Sequence, residues 1–228
     1  MKNLAIIPAR SGSKGLKDKN IKLMNGKPLL SYSILAARDS GVFDEIMVST
    51  DSQKYADIAI QYGASVPFLR SVENSSDTAG SWDMVLEVLN NYKALGQEFD
   101  TVCLLQPTSP LRTGKDIFDA YKDFQDNDVD AITSVCEVDH SPLWTMTLDE
   151  DRMLTEYKKK SSDVPRQQLA PYYRINGAVY IRKIVYGENG AELIDIKEIA
   201  FIMDKRRSID IDDALDFAIG EYLMQQKI

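Results

Sequence analysis

Residues 4–20 read Leu4-Ala5-Ile6-Ile7-Pro8-Ala9-Arg10-Ser11-Gly12-Ser13-Lys14-Gly15-Leu16-Lys17-Asp18-Lys19-Asn20. The apolar run predicts a first strand that breaks into a loop of glycines, hydroxyls and basic side chains. Gly12 and Gly15 let backbone N–H groups approach an anion without an intervening Cβ atom. Positive charge for that anion comes from Arg10, Lys14 and Lys19. We interpret the loop as a nucleotide triphosphate site, with a solvated turn as the alternative.

The spacing of this loop separates it from two common nucleotide motifs. It lacks the Gly-x-x-x-x-Gly-Lys-Ser/Thr pattern of P-loop ATPases, and it also lacks the Gly-x-Gly-x-x-Gly fingerprint of dinucleotide-binding domains. These absences argue against an ATPase of the P-loop type and against an NAD enzyme.

Length and charge favour one α/β domain that acts on small anions. The 228 residues suit a single domain with an inserted arm, which we take to span residues 1–228. The formal net charge of -8 argues against a nucleic-acid surface, which is usually basic. Because the motifs nevertheless gather basic residues, we expect a locally positive site on an acidic body.

Cysteine and histidine usage excludes several kinds of chemistry. Cys103 and Cys136 lie in apolar runs, which predicts buried, reduced thiols and a cytoplasmic protein. His140 is the only histidine, so the sequence predicts neither a His-based triad nor a zinc cage. No stretch approaches the ~20 apolar residues of a membrane span, and residues 4–9 are too short for a signal-peptide core. We therefore expect no membrane contact.

Short apolar runs alternate with helical periodicity along the chain. The runs at 4–8, 45–49, 101–105 and 131–135 predict strands, and the periods near 29–37, 82–89 and 117–124 predict helices. Further strands are expected at 174–181 and 199–203, and a last helix at 213–225. That helix carries Leu215, Ala218, Ile219 and Tyr222 on one face, with Asp212 and Asp213 as capping candidates. The alternation predicts a doubly wound, mainly parallel, Rossmann-like sheet, in which ligands bind at the carboxyl ends of strands.

Residues 139–171 interrupt this alternation. Two apolar stretches, 143–148 and 153–154, flank a turn-like acidic segment, which predicts a protruding hairpin arm. Exposed Trp144 and Met146 would need a partner surface, so we expect a homodimer that forms through this arm.

A second polar loop follows the strand at 101–105 and reads Gln106-Pro107-Thr108-Ser109-Pro110-Leu111-Arg112. Its two prolines stiffen it. The Gln106 amide can bind a base edge, and Arg112 can hold either the loop or an anion. A rigid structural turn is the competing interpretation for residues 107–110.

Two carboxylates near the end of the chain form a candidate magnesium site. Asp210 and Asp212 are two residues apart, so in an extended segment both face the same side. Mg²⁺ takes one or two protein carboxylates together with substrate phosphates. Helix capping is the alternative function for this pair.

Three other positions are candidates with open roles. Asp51 follows a predicted strand and is either a helix cap, which we favour, or a second metal ligand. Arg70 and Asp77 precede a helix whose N-terminus, near Ser81, favours anions or polar base edges. Asp77 can equally be an N-cap.

With these motifs assembled, the chain resembles the CMP-sialic acid synthetases, also called acylneuraminate cytidylyltransferases, within the group that includes the CMP-Kdo synthetases. The similarity extends over about residues 4–217. The stretches that carry it, in the order of the family's motifs, are 7–20, 105–112, Arg166-Gln167-Gln168-Leu169, 174–178 and 208–212.

The resemblance implies a nucleotidyltransferase that joins CTP and a nine-carbon 2-keto sugar acid to give a CMP-sugar and pyrophosphate. The anomeric hydroxyl would attack the α-phosphate in line, and Mg²⁺ would assist. By similarity, the nucleotide-binding residues are Arg10, Ser13, Lys14, Lys19, Asn20, Arg70, Asp77 and Ser81. The residues that face the sugar acid are Gln106, Arg166 and Arg174. The resemblance also implies that Asp210 and Asp212 hold the metal. Together with Arg10 and Lys19 they would form the catalytic set.

The acceptor stays open at this point. Bacterial sialate members often carry a lysine after His-x-Pro-Leu, whereas Trp144 follows that motif here. N-acetylneuraminate is the first candidate, and legionaminate, pseudaminate or Kdo are alternatives. Two other classes also remain: a sugar-1-phosphate nucleotidyltransferase, and a nucleotide-binding module without catalysis.

Overall fold

The computed structural model describes residues 1–12, 15–76, 78–148, 150–152 and 169–226. Within these ranges the chain forms nine strands and five α-helices. The strands are β1 (Asn3–Pro8), β2 (Leu23–Met24), β3 (Lys27–Pro28), β4 (Glu45–Ser49), β5 (Thr101–Leu104), β6 (Ala131–Glu137), β7 (Tyr173–Gly187), β8 (Gly190–Ile194) and β9 (Glu198–Ile202). The helices are α1 (Leu29–Ser40), α2 (Gln53–Gln61), α3 (Ser81–Ala94), α4 (Gly114–Asp126) and α5 (Ala214–Gln225).

Over the described residues, seven of the strands form one sheet in the order β4-β1-β5-β7-β6-β9, with β8 paired to β7. Strand β1 is parallel to β4 and β5, and β6 is parallel to β9. Strand β7 is antiparallel to each of its neighbours β5, β6 and β8, so it alone reverses the common direction. The predicted mainly parallel sheet is confirmed, with one reversed strand in its interior.

The reversal of β7 follows from where residues 138–172 leave and rejoin the sheet. Glu137, the last residue of β6, pairs with Tyr173, the first residue of β7. The backbone N–H of Val138 also donates to the Tyr172 carbonyl at 3.0 Å. The chain therefore returns at the point where it left, and a strand that starts there must run antiparallel to β6.

Helices cover both faces of the sheet, and β1 shows why its sequence is apolar throughout. Ala5 and Ile7 belong to the core shared with α1 and α4, whereas Leu4 and Ile6 belong to the core shared with α3. All four side chains are completely buried. Burial of an Ile or Leu side chain contributes roughly 1.5–3 kcal/mol, so β1 anchors both cores.

The last helix differs from the prediction in the face that it buries. The predicted stripe points outward: Leu215 is 67% exposed and Tyr222 is 61% exposed. Phe217 and Gly220 face inward instead, and a Cβ atom on Gly220 would lie 2.9 Å from Cδ1 of Ile211. Glycine lets the helix approach Ile211 this closely, and Phe217 on the same face fills the adjoining core. The sequence periodicity alone did not distinguish the two faces.

The capping prediction at this helix is confirmed for one of its two candidates. The Asp213 carboxylate accepts hydrogen bonds from the backbone N–H groups of Leu215 and Asp216. In return, the Asp216 carboxylate accepts one from the Asp213 N–H. This reciprocal arrangement is a capping box. The side chain of Asp212 is therefore not needed for the cap.

The structure does not support a hairpin strand in the first part of the predicted arm. Pro142–Trp144 form a single turn of 3-10 helix, and residues 145–148 have no strand pairing. Proline at the start of this turn cannot donate a strand hydrogen bond. Trp144 is half-buried, whereas Met146 is 42% exposed. The other predicted strand, residues 153–154, lies outside the described residues.

Among the described helices, none has the combination of length and apolar character that a bilayer crossing requires.

A bulge in β7 interrupts its pairing with β6. Thr133 pairs with Tyr180 and Val135 pairs with Ile175, so four residues of β7 lie opposite Ser134 alone. Gly177 lies in this bulge at φ +73°, and a Cβ atom there would overlap Oε1 of Gln106. Bulges of this kind redirect side chains beside functional sites.

We predict that Gly177→Ala destabilises the fold more than Gly96→Ala does. Both glycines have positive φ, +73° and +76°, but no atom lies near the Cβ position of Gly96. Each substitution incurs a cost of roughly 1–2 kcal/mol for the left-handed backbone, and only Gly177→Ala must also displace Gln106. Urea unfolding should show an additional loss of about 1 kcal/mol for Gly177→Ala. Equal losses would contradict the proposed contact.

Candidate active site

A cavity of about 460 Å³ opens at the carboxyl ends of β1 and β5. The chain continues from β1 to β4, toward one edge of the sheet, and from β5 to β6, toward the other edge. Such a reversal in strand order is a switch point, where open α/β sheets bind ligands. The cavity is lined by Pro8, Arg10, Gly15, Lys19, Asn20, Arg70, Asn74, Ser76, Ala79, Gly80, Ser81, Met84, Gln106, Pro107, Thr108 and Asp212. The cationic loop, one aspartate of the predicted pair and the Gln106 loop thus face one space.

The loop after β1 is held by side chains from outside it. The backbone N–H and the hydroxyl of Ser11 each donate to the Asp51 carboxylate at 2.7 Å. The buried Asn20 amide donates to the Arg10 carbonyl at 3.2 Å. These bonds fix the backbone at Arg10 and Ser11, just before Gly12.

Asp51 therefore does not have the role that we expected from the sequence. The N-cap position of α2 is Ser52, and no side chain caps it. Burial by itself raises the pKa of the Asp51 carboxyl, but the hydrogen bonds from Ser11 and the charge of Arg70 outweigh burial, so the pKa lies below its ordinary value. Its described bonds assign Asp51 to loop anchoring rather than to capping.

Lys19 joins the cationic loop to the segment before α5. Its ammonium group donates to the Ile211 carbonyl at 2.5 Å and to Oδ1 of Asp212 at 3.2 Å. A Cβ atom on Gly15 would lie 2.7 Å from the Asp212 carbonyl oxygen, so glycine is required for this close approach. The backbone N–H of Ile211 donates to the Thr108 carbonyl at 2.8 Å, which also ties the segment to the Gln106 loop.

The Asp210 carboxylate is only partly satisfied by hydrogen bonds, as is typical of a cation ligand. Its Oδ1 is buried without a hydrogen-bond partner. Burial raises the pKa of Asp210 and the neighbouring Asp212 charge adds to the rise, against the opposing effects of Thr108, Lys19 and Arg174. A divalent cation would satisfy the bare oxygen and reduce the repulsion between the two carboxylates.

The donor set suits Mg²⁺ bound together with phosphate. Among the described residues, no three histidine, cysteine or acidic side chains are placed so that they could hold a metal ion together. A site made by Asp210 and Asp212 would therefore need additional oxygen ligands. Magnesium commonly takes these from water and substrate phosphates, so the two carboxylates fit this ion.

Arg70 provides a buried positive charge at the cavity wall. Its Nε donates to the Ser49 hydroxyl at 3.0 Å and its Nη2 to the Ser49 carbonyl at 2.5 Å. Burial lowers its pKa to about 10, with partial compensation by the carboxylates of Asp51 and Glu87. The guanidinium consequently remains charged at neutral pH.

The Gln106 loop is held rigid by Arg112, as one of the two sequence interpretations stated. The guanidinium is fully buried, and its Nη1 donates to the Ala178 carbonyl at 2.7 Å and to the Gln106 carbonyl at 3.3 Å. It also bonds to the Ser33 hydroxyl. Arg112 therefore holds the loop and is not among the residues that line the cavity, whereas Gln106 is.

The remaining predicted residues divide into three groups. Ser81, at the start of α3, lines the cavity. Arg174 is exposed and is not among the lining residues; its Nη2 donates to the Ser208 carbonyl at 2.9 Å. The predicted residues outside the described part of the chain are Ser13, Lys14, Asp77 and Arg166.

Asn74 is a polar residue of the cavity wall that the sequence analysis missed. Asn74 lines the cavity, and its amide bonds to the Glu87 carboxylate, which also accepts from the N–H and hydroxyl of Ser71 at 2.8 Å. Residues 71–75 contain no motif that marks them. The only sequence indication was their position between Arg70 and a helix N-terminus.

Comparisons with known proteins agree with this geometry. The model of the cytidylyltransferase family matches residues 4–227. A CMP-N,N'-diacetyllegionaminic acid synthase from Legionella pneumophila is 37% identical, over 99% of this chain and 97% of its own length. An N-acylneuraminate cytidylyltransferase from Streptococcus agalactiae is 39% identical over 95% of this chain. This chain spans about half of the streptococcal protein, 52% of its length.

A solved structure confirms the fold class. The structure of CMP:2-keto-3-deoxy-manno-octonic acid synthetase complexed with CTP matches with a TM-score of 0.70 and covers 100% of both chains. Its sequence identity is 16%, so this similarity concerns the fold alone. The predicted nucleotidyltransferase fold is confirmed.

We predict that Asp51→Asn destabilises the protein in a pH-dependent way. Because the folded pKa lies below the ordinary value, the stabilisation is present above about pH 4 and is lost as the pH falls through the lowered pKa. Urea unfolding at pH 7 should show a loss of about 1–2 kcal/mol, and the loss should shrink below pH 4.

The control is Asp57→Asn on the exposed surface of α2, where the carboxylate accepts one bond from Gln53. It should change stability by less than about 0.5 kcal/mol. A loss for Asp51→Asn that is absent at pH 7, or that persists unchanged in acid, would contradict the anchoring role.

Proposed function

The chain belongs to the cytidylyltransferase family that includes the CMP-sialic acid synthetases, and we propose that it joins CTP to a nine-carbon 2-keto sugar acid with release of pyrophosphate. The observation that carries this proposal is the shared cavity of Arg10, Lys19 and Asp212 at the carboxyl ends of β1 and β5. A cationic loop opposite an acidic segment suits a triphosphate that binds together with a divalent cation.

The proposed reaction is a direct displacement. The anomeric hydroxyl oxygen of the sugar acid bonds to the α-phosphorus and releases its proton to solvent. The bond from that phosphorus to the bridging oxygen breaks, and pyrophosphate leaves with the bonding electrons. Arg10 and Lys19 compensate the negative charge that grows on the departing group. A thiol nucleophile is not required: Cys103 and Cys136 are completely buried, and burial raises the pKa of Cys103 to about 12.

Asp210 and Asp212 are the proposed ligands of Mg²⁺. Bound there, the ion would neutralise phosphate charge and orient the α-phosphate for attack. The bare Oδ1 of Asp210 supports this assignment. Lys19, which bonds to Asp212, holds the second carboxylate beside the cationic loop.

The two substrates are proposed to occupy different parts of the site. The nucleotide binds near Arg10, Asn20, Arg70 and Ser81, all of which line the cavity; Ser13, Lys14 and Asp77 are assigned to it by resemblance. The sugar acid binds near Gln106, which also lines the cavity, and near Arg174 and Arg166. Arg174 supports this role through its bond to the backbone of the segment that carries Asp210.

N-acetylneuraminate is the proposed acceptor, and a legionaminate-type acid is the alternative. The streptococcal relative favours the first, and the Legionella relative, which matches over nearly its whole length, favours the second. Both acids have the same nine-carbon backbone with a carboxylate beside the anomeric carbon. The positive residues proposed around the acceptor would suit either of them.

We also propose a homodimer that forms through residues 139–171, and a cytoplasmic location. Leu143, Met146 and Leu148 are 45%, 42% and 60% exposed, which is apolar surface that a partner chain could cover. The two cysteines are free thiols, which suits the reducing compartment in which CTP is made.

We predict pyrophosphate release from CTP in the presence of a nonulosonic acid. The purified protein is incubated with Mg²⁺, each of the four nucleoside triphosphates, and N-acetylneuraminate, N,N'-diacetyllegionaminate, pseudaminate or Kdo. Release should depend on CTP and be fastest with one of the first two acids. Release with UTP and a sugar 1-phosphate would instead indicate the other nucleotidyltransferase class, and CTP binding without any product would indicate a binding module.

We predict that Asp212→Asn lowers kcat/KM about a hundredfold, equivalent to ~2.7 kcal/mol, and raises the Mg²⁺ concentration needed for half-maximal rate. The matched control is Asp213→Asn, which removes the same charge from the next residue and keeps a good N-cap. The control should stay within about twofold of the unmodified rate. Unchanged turnover and Mg²⁺ dependence in Asp212→Asn would overturn the metal assignment.

A further inference from the structure

A buried amide lies between the middle of the sheet and the acidic segment. Asn176, in the bulge of β7, is 1% exposed. Its Oδ1 accepts hydrogen bonds from the Ser134 hydroxyl at 2.6 Å and from the Ala178 N–H at 3.2 Å. Its Nδ2 donates to the Ser208 hydroxyl at 2.8 Å and to Sδ of Met203 at 3.4 Å.

The backbone fixes the orientation of this amide. The Ala178 N–H can only donate, so the oxygen of the Asn176 side chain must face β6 and its nitrogen must face Ser208. The Ser208 hydroxyl accepts a hydrogen bond from that nitrogen and donates one to the Asp204 carbonyl at 2.9 Å. Ser208 is thereby held on two sides, and it lies two residues before Asp210.

The segment that carries the carboxylates is attached at a few points. Beside the Asn176 bond, its described hydrogen bonds to the rest of the site are Arg174 at the Ser208 carbonyl, the Thr108 carbonyl at the Ile211 N–H, and Lys19 at its far end. The Ile211 side chain is buried in a small apolar core beyond Asp210. On the other side of Asp210, the backbone is held at Ser208. The Asp210 side chain has one described hydrogen-bond partner, Thr108, and its Oδ1 has none.

We propose that Asn176 is a positioning residue that acts through Ser208 to place Asp210 for a divalent cation. This inference rests on the proposed function, because it assigns a purpose to the aspartate pair. Groups that orient metal ligands typically change metal affinity or activity by 10–100-fold when removed. Asn176 is not among the residues that line the cavity, and its effect is transmitted by the Ser208 hydroxyl.

The chain provides a matched control on the other side of the same amide. Ser134 and Ser208 are both completely buried, and each hydroxyl makes one bond to Asn176 and one to a backbone group. Ser134 joins β6 to the bulge of β7, whereas Ser208 lies two residues before Asp210. If Asn176 served only stability, removal of either serine hydroxyl would have the same effect on metal binding.

The test compares Ser208→Ala with Ser134→Ala. Thermal unfolding measures stability, and the electron paramagnetic resonance signal of free Mn²⁺ measures ion binding in the presence of CTP and without a sugar acid. Both variants should lose stability to a similar degree. Ser208→Ala should raise the Mn²⁺ dissociation constant about tenfold or more, while Ser134→Ala should remain within about twofold of the unmodified protein.

Equal Mn²⁺ affinities in the two variants would overturn the inference, as would a larger effect of Ser134→Ala. If an alanine variant does not fold, Ser208→Cys and Ser134→Cys give the same comparison, because a thiol keeps the shape but is a weak acceptor. Asn176→Asp, which replaces the donor that faces Ser208 by an acceptor, should weaken Mn²⁺ binding as Ser208→Ala does.

The Mn²⁺ readout separates this inference from the proposed function. If the unmodified protein binds Mn²⁺ with CTP but releases no pyrophosphate with any sugar acid, the proposed reaction fails while the positioning role is still decided by the serine comparison. If the unmodified protein binds no Mn²⁺ in the presence of CTP, the positioning role fails.

Discussion

The ammonium group of Lys19 bonds at once to the Ile211 carbonyl and to the Asp212 carboxylate, across 192 and 193 residues of sequence. It joins the glycine-rich loop after the first strand to the acidic segment before the last helix. Glycine at position 15 makes the approach possible, because any side chain there would collide with the Asp212 backbone. The remaining parts of the site are arranged around this junction, since Lys19 and Asp212 line the same cavity.

The site contains basic and acidic side chains that are not fully neutralised by one another. The protein carries a formal net charge of -8, yet Arg10, Lys19 and Arg70 face one cavity. Asp210, two residues before the cavity-lining Asp212, keeps a buried oxygen without a hydrogen-bond donor, and burial raises its pKa. Such an arrangement reduces the stability of the ligand-free protein, and a metal-bound triphosphate would relieve both the cationic and the anionic excess. Two other buried groups, Arg112 and Asn176, contribute rigidity instead.

Local patterns predicted the strands and the loops well. The run at 45–49 became β4 with the same bounds, and the motifs at 6–20 and 106–112 lie at the strand ends where the doubly wound pattern placed them. The errors and the features left unpredicted arose where long-range packing decided the outcome. The reversal of β7 depends on the return point of residues 138–172, the inward face of α5 depends on contact with Ile211, and the partner of Asp51 is a loop 40 residues away. No periodicity in a single sequence encodes those contacts.

The central claim is that one cavity holds the triphosphate and its cation between the cationic loop and the aspartate pair. A crystal structure with CTP and Mn²⁺ tests it most directly, because Mn²⁺ is located by its anomalous scattering. The account predicts a manganese peak bonded to Asp210 or Asp212 and to a phosphate oxygen, with the triphosphate in contact with Arg10 and Lys19. A manganese ion bonded only elsewhere on the protein, or a triphosphate that contacts neither basic residue, would contradict it.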